Sequence, residues 1–149
     1  MRMGEVVHRE LIVPLDTACL AQVRKAVLEV AGRGLFQPSV VNLIALAVDE
    51  AVANVMEHAY QEYASARNKE IEIVLNCDPA RFEVLIRDKG RPFDPNLVPS
   101  VDIQDHVRKS QTGGLGIFLM RKIMDEVNYS FKQGLHNELQ MIKYVDIRT

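Results

Sequence analysis

From Pro38 to Tyr60 the chain carries one long helical pattern that is mostly apolar. Into it are set Glu50, Asn54, Glu57 and His58. At roughly 100° per residue, Glu50, Asn54 and Glu57 fall within about 60° of one another, with His58 at the edge of the same stripe. Carboxylates and amides are expensive to bury without partners. A polar stripe on a helix ordinarily faces solvent. Here apolar residues surround the stripe too completely for a surface helix. The fold must therefore bring something opposite it.

The rest of the chain supplies elements to do so. Glu5 to Val13 suits a strand closed by Pro14, and Asp16 or Thr17 can cap a helix running to about Ala31. Gly32-Arg-Gly34 ends that helix, and Pro38-Ser39 opens the long one. Ile71, Ile73 and Leu75 alternate with Glu72 and Val74, and Phe82, Val84 and Ile86 with Glu83 and Leu85, so the two runs form a hairpin about Asp78-Pro-Ala-Arg81. A long irregular stretch reaches to about Thr112, a length that marks a functional lid or a disordered segment. Gly113-Gly-Leu-Gly116 leads into a helix from Ile117 to about Glu126. Val127 to Lys132 and Leu139 to Val145 form a last hairpin turning at Gly134-Leu-His-Asn137. Hairpins dominate, so the expected fold class is α+β: a two-layer α/β sandwich whose mixed, mostly antiparallel sheet carries about three helices on one face.

At 149 residues the chain reads as one domain, 1–149. Its 18 basic and 20 acidic residues leave a formal net charge of −2, which gives no general surface for nucleic acid or membrane. No apolar run approaches membrane-spanning length. Cys19 and Cys77 have no metal-like spacing and read as reduced thiols. A cytoplasmic protein is expected.

Three stretches can carry chemistry. Glu50 and Asn54 lie one turn apart: the amide oxygen is a reasonable hard ligand for Mg²⁺, and the carboxylate can orient or deprotonate a hydroxyl. Asp88-Lys-Gly90 follows an apolar strand, where a carboxylate can accept a hydrogen bond from a planar ligand and Gly90 permits close approach; an ordinary turn has the same composition. Gly113, Gly114, Leu115 and Gly116 precede a helix, whose first N–H groups suit a phosphate; the same glycines also suit a hinge. Neither the Walker nor the Rossmann spacing is present.

In this order, Glu50-x-x-x-Asn54 with His58-Ala-Tyr60, Asp88-x-Gly90-x-Pro-Phe-Asp-Pro95 and Gly114-Leu-Gly116 resemble the N, G1 and G2 boxes of the GHKL (Bergerat-fold) ATP-binding superfamily. The chain is most similar to its anti-sigma-factor serine kinases, the partner-switching regulators. The resemblance spans nearly the whole chain and implies a histidine-kinase-like ATPase fold with an ATP lid at about 93–113. It makes Asn54 the Mg²⁺ ligand that bridges ATP phosphates, and Glu50 the carboxylate that activates the attacking hydroxyl. It assigns Asp88 and Gly90 to adenine, and the Gly113–Gly116 turn to phosphate.

The activity it implies is ATP- and Mg²⁺-dependent phosphorylation of a serine on an antagonist protein, by a homodimer that also sequesters a sigma factor. Some members place an arginine just before the lid glycines. Here Thr112 stands there, with Arg108 and Lys109 close by as substitutes or as solvated charges. A nucleotide-binding module that sequesters a partner with little transfer is the alternative. Glu57 reads as the solvated edge of the pocket, and His58 as a residue outside it.

Overall fold

Three runs of alternating side chains become the middle of a five-stranded antiparallel sheet. The computed structural model describes residues 4–59, 70–89, 115–132 and 136–146. The strands are β1 (Val7–Pro14), β2 (Glu70–Cys77), β3 (Arg81–Asp88), β4 (Glu126–Lys132) and β5 (His136–Tyr144). They lie in the order β1-β2-β3-β5-β4, and every neighbouring pair is antiparallel. The helices are α1 (Leu20–Gly32), α2 (Pro38–Asn54) and α3 (Leu115–Ile123). A 3₁₀ turn at Thr17–Cys19 precedes α1, and a π turn at Val55–Ala59 continues α2. The expected two-layer α+β architecture is the observed one.

The period of two sorts the sheet into a helix side and an open side. On the helix side one row, Leu11–Ile73–Ile86–Leu139–Tyr129, crosses all five strands in register. Ile73, Ile86 and Leu139 of that row are buried, together with Ile71, Leu75, Phe82, Val84 and Met141. They pack against Val23, Val27 and Val30 of α1, Ile44, Val48 and Val52 of α2, and Met120 of α3. Fully burying a side chain of this size stabilises the fold by roughly 1.5–3 kcal/mol, so this face holds the layers together. Cys77 belongs to the same interior; burial, with Asp78 beside it, pushes its thiol up to about 11 and keeps it protonated.

The open side carries cross-strand polar pairs beside Val74 and Ile142, which are buried. Arg87 donates from Nη1 to Glu72 (3.1 Å) and from Nε to Glu138 (2.9 Å), joining three strands. A second line runs from His8 to Asn76 (2.5 Å), Asn76 to Glu83 (3.1 Å), Gln140 to Glu83 (2.7 Å) and Asn128 to Gln140 (3.2 Å). Amides and carboxylates thus satisfy one another across neighbouring strands.

Local chemistry fixes the connections. Asp78 Oδ1 accepts from the N–H groups of Ala80 (2.7 Å) and Arg81 (2.9 Å), which closes the β2–β3 hairpin as an Asx turn. α2 opens with Pro38 at its first position, where a missing N–H costs nothing. Three expectations need correction. α3 starts at Leu115 and stops at Ile123, because Asp125 already pairs with β5: its N–H donates to the Ile142 carbonyl and its carboxylate accepts from the Tyr144 N–H. β5 begins at His136 and not at Leu139, so Asn137 lies in a strand. Finally, α2 with the first part of its π turn, Pro38–Glu57, is long and apolar enough by length and composition to cross a membrane. Of its most apolar window, 44% is buried inside the protein, where Val41, Ile44, Ala45, Ala47, Val48, Ala51 and Val52 join the core.

Candidate functional site

The second half of α2 is where the core helix turns polar. Ala47, Val48, Ala51 and Val52 are buried, while Glu50 and Asn54 on the adjoining face are half-buried. Glu50 makes no hydrogen bond or ion pair among the described residues. The Asn54 amide donates from Nδ2 to Met120 Sδ at 3.7 Å, a weak sulfur acceptor. No donor among the described residues reaches its Oδ1. Beyond Asn54 the backbone changes to the wider π pattern, a form frequent at functional sites. The 100° step therefore groups Glu50 with Asn54 but does not apply to Glu57 and His58. Glu57 is exposed, and His58 lies within the π turn.

α3 lies against this face. Gly116, its second residue, has no room for a side chain: a Cβ there would overlap Glu50 Oε2 and stand 3.3 Å from Glu50 Cδ. Glu50 meets Gly116 and Asn54 meets Met120, each pair one turn further along. On the α1 side of the helix, Asp49 pairs with Arg24 at 3.0 Å, while its Oδ1 is buried with no hydrogen-bond partner. Burial raises the Asp49 carboxyl above its ordinary value, and Arg24 pulls the other way.

Asp88 closes the helix side of β3. The strand places Phe82, Val84, Ile86 and Asp88 on one face, so Asp88 takes the next inward position after three apolar ones. It is only 6% exposed, and Asn137, opposite it in register on β5, is 2% exposed. Asn137 Nδ2 donates to Asp88 Oδ1 at 2.9 Å. This is a carboxylate held in place by a neutral amide at the rim of the core. Leu115 is the first residue of α3. Gly90, Gly113 and Gly114 lie outside the described residues, as do Thr112, Arg108, Lys109 and the stretch at about 93–113. The structure thus brings Glu50, Asn54 and Gly116 together between α2 and α3, with Asp88 at the end of β3.

The sequence of residues 13–143 matches the family model of the Histidine kinase-like ATPase domain. The chain belongs to that family. The antiparallel sheet with its helical layer is the fold expected of that family. Its curated relatives include Serine-protein kinase RsbW of Bacillus cereus (strain AH187), 29% identical over 140 residues that cover 91% of this chain and 84% of the relative. Proteins of the same name from Bacillus anthracis and Bacillus thuringiensis (strain Al Hakam) match at the same identity and coverage. Among solved structures, the histidine kinase domain from the Erythrobacter litoralis EL346 blue-light activated histidine kinase matches at 18% identity with a TM-score of 0.46. That match covers 88% of this chain, which spans 61% of the solved one.

Within this ATPase domain, Asn137 was not singled out by sequence. Gly134-Leu-His-Asn137 has turn chemistry, and asparagine is depleted in strands. The available signal was the spacing Asn137, Leu139, Met141, which puts the amide on the inward face of a strand. Met120, the sulfur partner of Asn54, reads from sequence only as a core residue. Among the described residues no group of three or more His, Cys, Asp or Glu is arranged to hold a metal. The donor chemistry instead suits one protein oxygen, Asn54 Oδ1, with the remaining positions for a cation such as Mg²⁺ left to water and phosphate.

Proposed function

We propose that this chain is an ATP- and Mg²⁺-dependent protein serine kinase that acts as an anti-sigma factor in a partner-switching system. One observation carries the reading. A helix otherwise committed to the core holds Glu50, without a partner among the described residues, and Asn54, whose amide oxygen meets no donor there, against the first two turns of α3. The name Serine-protein kinase carried by relatives along 91% of the chain supports the same activity.

In this reading Asp88 accepts a hydrogen bond from the adenine amino group, with Gly90 beside the base and Asn137 holding the carboxylate. Gly113, Gly114, Leu115 and Gly116 lead the backbone N–H groups of α3 toward the phosphates. Asn54 holds Mg²⁺, which supplies positive charge to the phosphates when bound. Glu50 takes the proton of the attacking serine hydroxyl on an antagonist protein. A single domain, 1–149, with a lid at about 93–113, works as a cytoplasmic homodimer that binds a sigma factor when the antagonist is phosphorylated.

Calorimetric titration with ATP, with and without Mg²⁺, followed by phosphate transfer to a candidate antagonist, tests this. Saturable Mg²⁺-dependent binding and a phosphoserine on the antagonist are expected. Asn54→Ala is expected to abolish the Mg²⁺-dependent part of ATP binding with the thermal transition intact; unaltered affinity would remove Asn54 from the metal. Binding without transfer would leave a nucleotide-dependent sequestering module, the role compatible with Thr112 at the arginine position.

A further inference from the structure

The reading of Gly116 as a phosphate contact leaves a feature of the structure unused. What the missing side chain of Gly116 admits in this structure is Glu50. An alanine methyl at this position would overlap Oε2, approach Cδ to 3.3 Å and come within 3.5 Å of the Glu50 Cβ. Glu50 therefore lies along the glycine over much of its length. The conflicting atom is the far end of a flexible side chain, so the strain is relieved cheaply, by moving the carboxylate. Alanine is also favoured over glycine inside a helix. A substitution here is tolerated by the fold and felt by Glu50.

We propose that Gly116 is a positioning residue that sets the Glu50 carboxylate by leaving it space on α3. This rests on the reading of Glu50 as the group that accepts the hydroxyl proton. Met120 acts one turn on from the same helix: by taking the Asn54 Nδ2 group at 3.7 Å it turns the amide oxygen away from α3. One face of α3 thus orients Glu50 and Asn54 of α2, by an omitted methyl at 116 and a sulfur at 120. The position of the helix start and the position of the carboxylate become a single variable.

Gly116→Ala in the full chain tests the assignment. The expected result is a thermal transition no lower than wild type, a KM for ATP within about threefold, and a kcat reduced at least about tenfold, as loss of a positioned base requires. The ¹³C resonance of the Glu50 side-chain carboxyl is expected to move. A loss of nucleotide affinity with kcat preserved would overturn the proposal and leave Gly116 with its phosphate role alone; so would an unmoved resonance or an unchanged kcat. If the variant is destabilised, adding Glu50→Ala must restore its thermal transition, and failure to do so also overturns it. A wild-type protein that transfers no phosphate would refute the proposed kinase activity, and the carboxyl resonance alone would then decide the role of Gly116.

Discussion

Two carboxylates mark the two ends of the candidate site, and they are held in opposite ways. Asp88 sits at the rim of the core with an amide donor on one oxygen, its position written by the β3–β5 register. Glu50 has no hydrogen bond or ion pair among the described residues and is kept in place by packing against a residue that lacks a side chain. A carboxylate fixed by a donor is oriented but partly spent, since the donor occupies an oxygen. A carboxylate fixed by shape keeps its acceptor capacity. The first arrangement suits recognition of a ligand edge, the second suits proton transfer.

Removing each group should separate these roles. The largest effect is expected for Glu50→Ala: phosphate transfer falls about 10²–10⁴-fold while calorimetric affinity for ATP stays within about threefold. An active variant would end the assignment of Glu50 as base. Asp88→Asn is expected to do the reverse, weakening ATP binding about tenfold to a hundredfold, the worth of a hydrogen bond to a charged group. Equal losses of affinity in both variants would erase the contrast.

The two modes of holding were not equally legible beforehand. Glu50 and Asn54 stand out in sequence because each breaks an apolar pattern, and pattern breaks are cheap to see; Asp88 reads as an ordinary turn until the family resemblance assigns it. Their supports do not break a pattern. Gly116 reads as a hinge or helix start, Met120 as core, and Asn137 as turn, because what each does depends on a neighbour more than 45 residues away in the chain. The sheet itself was readable from alternation at Ile71–Leu75 and Phe82–Ile86. The π turn after Asn54 was not, since the apolar pattern runs straight through it and only hydrogen bonding distinguishes the two helical forms.

The smaller predictions sharpen the same contrast. Asn137→Ala deprives Asp88 Oδ1 of its amide donor inside the protein and is expected to cost about 1–3 kcal/mol of stability in urea unfolding. A neutral variant would mean that the position of Asp88 does not depend on Asn137.

The smallest effect concerns Asp49, the neighbour of Glu50 on α2, a half-buried carboxylate whose Oδ1 is buried without a hydrogen-bond partner. Its folded value is raised, so the stability it contributes is present below the ordinary carboxylate range and is lost as pH rises through the folded value. Asp49→Asn should therefore raise the thermal transition slightly at pH 7 relative to wild type, with the gain shrinking as pH is lowered toward the carboxylate range. A gain that grew on acidification would show that the Arg24 ion pair outweighs burial.

The strand order carries a consequence for how the molecule opens. β3 is the middle strand of five, bonded on both sides, whereas α2 leaves the core in a π turn and the first turn of α3 presents N–H groups with no intrahelical acceptor. Backbone amides at the centre of a sheet exchange with solvent only in near-global openings, while helix ends exchange through local ones. Asp88 thus ends the strand expected to exchange slowest, and Glu50 and Asn54 face a boundary expected to open more readily. A nucleotide spanning both would add little protection to β3, which is already slow, and would show its presence in the exchange rates of the α2 terminus and the start of α3.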